Sequence, residues 1–353
     1  MGSRVNTLIS GIQPTGCLHL GNYLGVLRKL VKLQDTFNSQ NIYFVADLHA
    51  ITGAIVQEDL ENQSLFVASA FLAVGLDPSQ HIIFKQSAVS QHSELAWIVN
   101  CITRLGWMNN MIQFKEKSGK NSATSSLGLY AYPALMAADI LLYRVSHVLV
   151  GADQKQHIEL TRLISQKFNT DFEDRIKKIS SNNMEEQFSR GFFPNVQPII
   201  DDSVSRIKSL RDGSKKMSKS DPSDLSRINL LDDSDMIAKK IQKAKTDCDV
   251  LPSEAAALEN RPEAKNLVEI FATIRQITKE DVLKGFGGKS FSQFKSELTE
   301  VIISEITPIS TAMQSILKDK TYINTVLIEG AHRARCRAQE TMKIIYDIIG
   351  LSS

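Results

Sequence analysis

Thr7-Leu8-Ile9-Ser10-Gly11-Ile12-Gln13-Pro14-Thr15-Gly16-Cys17-Leu18-His19-Leu20-Gly21-Asn22 is the stretch on which the fold turns. Thr7–Ile12 reads as a short apolar strand, followed by a turn broken by proline and glycine. From Leu20 to Phe37 the residues Leu20, Tyr23, Leu24, Leu27, Leu30 and Val31 recur at helical spacing. Strand, turn and helix in that order make a natural anion site, because N–H groups at the helix start point outward and the helix dipole favours negative charge. His19 and Asn22, three apart, share one face there and can donate to phosphate oxygens. A plain glycine turn with a capping side chain fits the same residues.

The pattern repeats downstream. Asn41–Ala46, His81–Phe84 and Val145–Val150 read as further apolar strands, Asp59–Val74 as a second helix, and helical stretches follow the later strands. Nearly continuous apolar strands separated by helices imply a parallel sheet covered on both faces, with ligands at the carboxyl ends of the strands. From about Ser234 the texture changes. Ile237, Ile241 and Ala244, then Leu267–Ile277, Phe291–Leu317 and Tyr322–Ile349 are all helix-patterned, which makes the second half a helical domain. Between the halves, Asp201–Asp233 is rich in Ser, Asp and Lys and reads as a mobile linker.

The 353 residues suit about two domains. Hydrophobic residues at 42% and charged residues at 23% fit a globular chain and exclude disorder. Lys+Arg number 41 against 39 Asp+Glu, a formal charge of +2, so the chain does not bind nucleic acid by overall basicity, although a local patch is allowed. Cys17, Cys101, Cys248 and Cys336 form no close pair, which argues against a thiolate metal site or a disulfide framework and for buried free thiols in a reducing compartment. No apolar run reaches the ~20 residues of a membrane span. Met1–Thr7 lacks the apolar core of a signal peptide. The expected location is the cytoplasm, or the mitochondrial matrix for a mature organellar form.

The polar join carries Lys215-Lys216-Met217-Ser218-Lys219-Ser220-Asp221-Pro222. A solvated basic loop is the ordinary meaning of paired lysines. Lys216–Ser220, however, spells the signature pentapeptide of class I aminoacyl-tRNA synthetases, and its chance occurrence in such a chain is on the order of 10⁻⁴. Two separated motifs suit aminoacyl adenylate formation. A carboxylate displaces pyrophosphate at the α-phosphate of ATP, and the nucleophile is already deprotonated, so alignment and positive charge on the leaving phosphates carry the catalysis. A fixed turn holds ATP, and a lysine-rich loop closes over the departing phosphates, with Mg²⁺ sharing their charge.

The likeness extends further. Ser10–Gly16, His19–Tyr23, Asp47–Thr52, Gln113–Ser118, Tyr132–Tyr143 and Asp153–Leu160 together resemble the tryptophanyl-tRNA synthetases of bacteria and organelles, with Gln13–Gly16 and Tyr132–Asp139 as the more specific blocks. Coverage runs nearly end to end and is weakest in Phe172–Pro198 and Asp247–Pro262. The resemblance implies a Rossmann-type α/β catalytic domain over residues 1–222 and a helical anticodon-binding domain over 223–353, its last helix packing back on the first. It implies ATP binding by His19, Gly21, Asn22 and Met217, and phosphate contacts from Lys216, Ser218, Lys219 and Lys117. Gln13 would touch the activated carboxylate, Tyr132 and Gln154 the ammonium, and Gly151 and Asp153 would lie beside the ribose. Asp139 would accept the indole N–H, while His49, Met136, Val148 and Val150 shape the pocket. The partners it implies are L-tryptophan, ATP with its Mg²⁺, tRNA(Trp) and a second copy of the chain. No metal site of the protein's own is expected.

A carboxylate suits indole, which is a donor only, and an unpaired acid would reject Phe. A tyrosine hydroxyl could donate to it equally, so pocket size must separate Trp from Tyr. Asp139 also fits a helix N-cap ahead of Ile140–Leu142. Ala152 stands where the family is usually acidic, and Ile9 where relatives often carry Phe. Gly285–Ser290 imitates a P-loop ending, but no strand precedes it, so it reads as a turn between helices. His157-Ile158-Glu159 lacks the paired cysteines of a zinc deaminase. The run His332–Arg337 fits either a solvated face or a contact with tRNA phosphates. Besides a tryptophan–tRNA ligase, the sequence admits a tyrosyl-tRNA synthetase, a nucleotidyltransferase that never meets tRNA, and a non-enzymatic tRNA-binding regulator. The large helical half argues against the second, and the intact phosphate residues argue against the third.

Overall fold

The computed structural model describes residues 6–37, 40–52, 59–112, 114, 125–182, 191–200 and 207–351. Among them, β1 (Leu8–Ile12), β2 (Ile42–Val45), β3 (Ile82–Lys85), β4 (His147–Leu149) and β5 (Gln197–Ile199) form one parallel sheet in the order β3-β2-β1-β4-β5. Alternate residues of the strands enter two separate cores. Leu8, Tyr43, Val45, Ile83 and Leu149 face one, while Ile9, Ile42, Phe44, Ile82, Phe84 and Val148 face the other. Burial on both faces is why these strands read as continuous apolar runs. The strand β5 was not visible in the sequence. Pro198 sits in it without cost, because β5 is an edge strand paired only to β4.

After β1 the chain enters α1 (Leu20–Asn22), a π-helical stretch over Tyr23–Leu27, and α2 (Arg28–Leu33). The helix expected to reach Phe37 therefore ends at Leu33. Next come α3 (Asp47–Ala50), α4 (Leu60–Ala73), α5 (Gln91–Ile102), α6 (Leu105–Asn109), α7 (Leu127–Leu141), α8 (Lys155–Asp171) and α9 (Glu173–Asn182). The second half carries α10 (Ser234–Gln242), α11 (Pro262–Arg275), α12 (Lys279–Phe286), α13 (Phe291–Lys318) and α14 (Lys320–Ile349). α10, α11, α13 and α14 lie where the apolar periodicity places them, whereas α12 was not foreseen and takes in Gly285, which was read as part of a turn; Gly287 and Gly288 turn the chain between α12 and α13. No helix among the described residues is long and apolar enough to cross a membrane.

The last helix crosses back over β3, and glycine makes the crossing possible. A Cβ on Gly330 would lie 1.9 Å from the carbonyl oxygen of Ile83. Three arginines of the basic run fasten this helix to loops of the sheet half. Arg333 donates to Pro78 O at 2.8 Å, Arg335 to Ala88 O at 2.8 Å and Arg337 to the Gln40 side chain at 3.1 Å. Arg333 and Arg337 are half-buried by these contacts, while His332, Arg335 and Cys336 stay exposed, so the run is in part a clasp and in part a solvated face.

Two further expectations change. The described part of the polar join is not a loose linker, since Ile207, Leu210, Met217, Ile228 and Leu230 all reach the core. The four cysteines are exposed rather than buried. Cys101 and Cys336 lie on outward helix faces, and Cys17 and Cys248 on loops.

Candidate active site

From β1 the chain winds outward through β2 to β3, then crosses back to place β4 on the other side of β1. Such a switch point opens a crevice at the carboxyl ends of the two central strands. Gln13 leaves β1 there and Val150, Gly151 and Asp153 leave β4. Gly16 holds the turn with φ +63, a conformation that favours glycine, and a Cβ there would touch the stem of Lys219 at 3.4 Å.

Lys219 lies across that turn, its Nζ 3.5 Å from Gln13 O although the two residues are 206 positions apart. Lys216 approaches Asp153 across the crevice at 3.8 Å. The stretch after the lysines is laced to the first motif: Leu20 N–H donates to Ile228 O at 2.8 Å and Leu230 N–H to Leu18 O at 2.9 Å. The Asn22 side chain accepts the His19 N–H at 3.1 Å. Burial, then the charges of Lys219, Arg227 and Lys216, push the His19 imidazole down to about 3. His19 is therefore a neutral ring at physiological pH, able to donate one N–H without moving charge. Burial against the turn pulls Lys219 down to about 8, with Cys17 acting weakly the other way. Ser218 Oγ lies 2.9 Å from Ser220 Oγ within the loop. Met217 is 2% exposed and its side chain belongs to the core. Lys117 lies outside the described residues.

On the other side of the crevice, Tyr132, Met136 and Asp139 recur along α7 at spacings that keep them on one helix face. Ser126 caps this helix, accepting the Leu129 N–H at 3.2 Å. Asp139 stands in its last turn, which disposes of the N-cap alternative. The Asp139 carboxylate is 1% exposed. His49 Nε2 lies 2.7 Å from Oδ2, while His92 Nδ1 and Gln86 Nε2 both lie 2.7 Å from Oδ1. Burial pushes this carboxyl up, but the nearby His49 and the hydrogen bonds from His49 and His92 outweigh it, leaving a net shift below the usual carboxylate value. An ionised carboxylate only accepts, so all three neighbours donate. With about four lone-pair positions in all, one acceptor position on Oδ2 takes no hydrogen bond from the described residues. Tyr132 packs edge-on to His49, and its hydroxyl lies 3.0 Å from His157 Nε2. Val148 is buried beneath, Val150 half-buried, and the Gln154 amide donates to Asp153 at 3.1 Å.

The profile described as tRNA synthetases class I (W and Y) matches residues 2–306. The chain belongs to that family. It is 57% identical over 347 residues to the Tryptophan--tRNA ligase of Mesorhizobium japonicum, covering 98% of this chain and 97% of that one. In structure it is similar to tryptophanyl-tRNA synthetase from Mycoplasma pneumoniae, with TM-score 0.82, 31% identity and 99% of each chain covered. The Campylobacter jejuni enzyme complexed with ADP and tryptophan gives TM-score 0.77 at 30% identity over 98% of this chain and 99% of that one.

Two residues of this class I synthetase escaped the sequence reading, Gln86 and His92, which hold one oxygen of Asp139. Gln86 also accepts the Leu48 N–H at 3.1 Å, which fixes its amide orientation. His92 carried a signal. It shares the buried face of α5 with Leu95, Ala96 and Val99, where an apolar residue would otherwise stand. Its Nε2 meets the Tyr143 hydroxyl at 2.9 Å.

Proposed function

We propose that this chain activates L-tryptophan with ATP and transfers the tryptophanyl group to the 3′ end of tRNA(Trp). The observation that carries the reading is the meeting of Lys219 with the Gln13–Gly16 turn, in a chain 57% identical to a tryptophan–tRNA ligase. Tryptophan's carboxylate attacks the α-phosphorus of ATP, the bond to the bridging oxygen breaks, and pyrophosphate leaves. Neutral His19 and Asn22 hold the phosphates at the turn, while Lys216, Lys219 and Lys117 meet the charge that grows on the leaving group. Mg²⁺ travels with ATP as part of the substrate. The remaining acceptor position on Asp139 Oδ2 suits an indole N–H, and Gln13, Tyr132 and Gln154 hold the amino-acid end. A terminal hydroxyl of tRNA then attacks the carbonyl carbon and AMP leaves.

Residues 1–222 form the catalytic half in this reading, and the helical half from 223 meets the anticodon. A homodimer is supported by Trp97 at 72% exposed, Leu105 at 72% and Leu127 at 79%, carried on the adjoining helices α5, α6 and α7. The cytoplasm is the proposed location. Amino-acid-dependent exchange of pyrophosphate into ATP tests the reading. Exchange with Trp and not Tyr or Phe is expected. Exchange with Tyr alone overturns the specificity, and none with any amino acid overturns the enzyme.

A further inference from the structure

Lys216 stands on a hairpin whose base is held by the helical half, and Lys219 follows just beyond its end. Met217 N–H donates to Ile207 O at 2.9 Å and Ser209 N–H to Lys215 O at 2.8 Å, with Lys208 facing Lys216 across the pair. In an antiparallel pair the backbone groups of alternate residues point outward, so those of Lys208 lie on the open edge. Asn266 of α11, 2% exposed, fills that edge. Its Oδ1 accepts the Lys208 N–H at 2.8 Å, and its Nδ2 donates to Lys208 O at 3.1 Å and Ser209 O at 3.3 Å. One side chain thus does the work of a third strand. A buried amide making three hydrogen bonds in three directions has one orientation only.

The far end of the hairpin is seated on the same helix. A Cβ on Gly213 would lie 2.5 Å from the carbonyl carbon and oxygen of Pro262, the first residue of α11. Lys245 N–H, just beyond α10, donates to Leu210 O at 2.8 Å. Long lysine side chains have many rotamers, so the backbone beneath them decides where their charges can be delivered. A displacement of about 1 Å away from the reacting atoms can cost about 10²-fold in rate.

We propose that Asn266 is a positioning residue for pyrophosphate departure: it holds the stem of the 207–217 hairpin so that Lys216 and Lys219 meet the leaving phosphates. The proposal rests on the reading of those lysines given above. It makes α11, in the half assigned to the anticodon, part of the amino-acid activation machinery.

The test is Trp-dependent pyrophosphate exchange on the full-length Asn266→Ala, Lys219→Ala and doubly substituted chains, with thermal unfolding of each. Asn266→Ala is expected to lower kcat about 10- to 100-fold with KM for tryptophan unchanged. The double variant should then lose little more than the worse single one, because a misplaced lysine has little left to lose. Multiplying losses, or a tryptophan KM that rises as kcat falls, overturns the role of Asn266 while leaving the lysines theirs. Undiminished exchange by Lys219→Ala overturns the reading of the lysines and the proposal with it. If Asn266→Ala fails to fold, Gly213→Ala lifts the hairpin from α11 at its other end. The same fall in kcat at constant tryptophan KM is expected, and an unchanged kcat overturns the proposal.

Discussion

Replacing Asp139 by Asn separates the structural work of this side chain from its contact with substrate. Oδ1 accepts from both His92 and Gln86, so it must stay an oxygen, and the new amide nitrogen takes the place of Oδ2. There it meets His49, which can move its proton to Nδ1 and accept through Nε2 instead. The contacts of Oδ1 with His92 and Gln86 and of His49 Nε2 with position 139 are then kept, and the folded state loses little. The indole N–H loses its acceptor, because it now faces a donor. Losing a hydrogen bond to a charged acceptor costs about 1.5–3 kcal/mol, or about 10- to 150-fold in kcat/KM for tryptophan. Phenylalanine has no donor to lose, so its weak kcat/KM should hold and the Trp-to-Phe ratio should fall by the same factor. Pyrophosphate exchange with each amino acid measures this directly, and thermal unfolding controls for damage to the fold. Equal losses for Trp and Phe would show that nothing on the substrate meets Oδ2.

Three other outcomes are expected. Gly330→Ala forces α14 away from the backbone of Ile83 and should cost about 1–3 kcal/mol or more by the usual scale of overpacking, read from urea unfolding; an unchanged midpoint would mean the helix is not seated there. Lys219 is charged below about 8 and neutral above it in the free protein, so kcat/KM for ATP should fall as pH rises through that value. Lys219→Arg should remove that alkaline limb, and a limb that survives belongs to another group. The thiols of Cys17, Cys248 and Cys336 should react with a disulfide reagent in the folded protein, and ATP should slow Cys17 alone, since it stands in the phosphate turn; Cys101, one turn beyond Trp97 on α5, lies on the proposed dimer face. Slow reaction at Cys17, Cys248 or Cys336 in the ATP-free chain would contradict the exposure.

The parts legible in the sequence are those with a period. β1 with its turn, and helices such as α13 and α14, repeat their apolar residues often enough to be read without partners. The packed join was not legible, because Ile207, Leu210, Met217, Ile228 and Leu230 stand singly among polar residues with no repeat. β5 was hidden by its length, three residues around a proline. In the site, the motif residues announced themselves, but Gln86 and Asn266 did not. A buried amide is recognised by the carbonyls and N–H groups it meets, and those come from distant parts of the chain. Nor did the signature show that the Met217 side chain turns into the core, since membership of a motif says nothing about which way a side chain points.

The seating of α14 on β3 bears on the order in which the chain can become whole. Ile82 N–H donates to Asn41 O, just before β2, so the peptide groups of Ile83 point outward along the unpaired margin of the sheet. Gly330 lies against that margin, and Arg333, Arg335 and Arg337 clasp the loops around it. During synthesis, every strand of the sheet leaves the ribosome well before this helix does. For that interval a bare strand margin is offered to any neighbouring nascent chain, as unpaired margins always are. The closing helix thus acts as a late seal, and chains interrupted before Lys320 should be found in aggregates rather than as a smaller working enzyme.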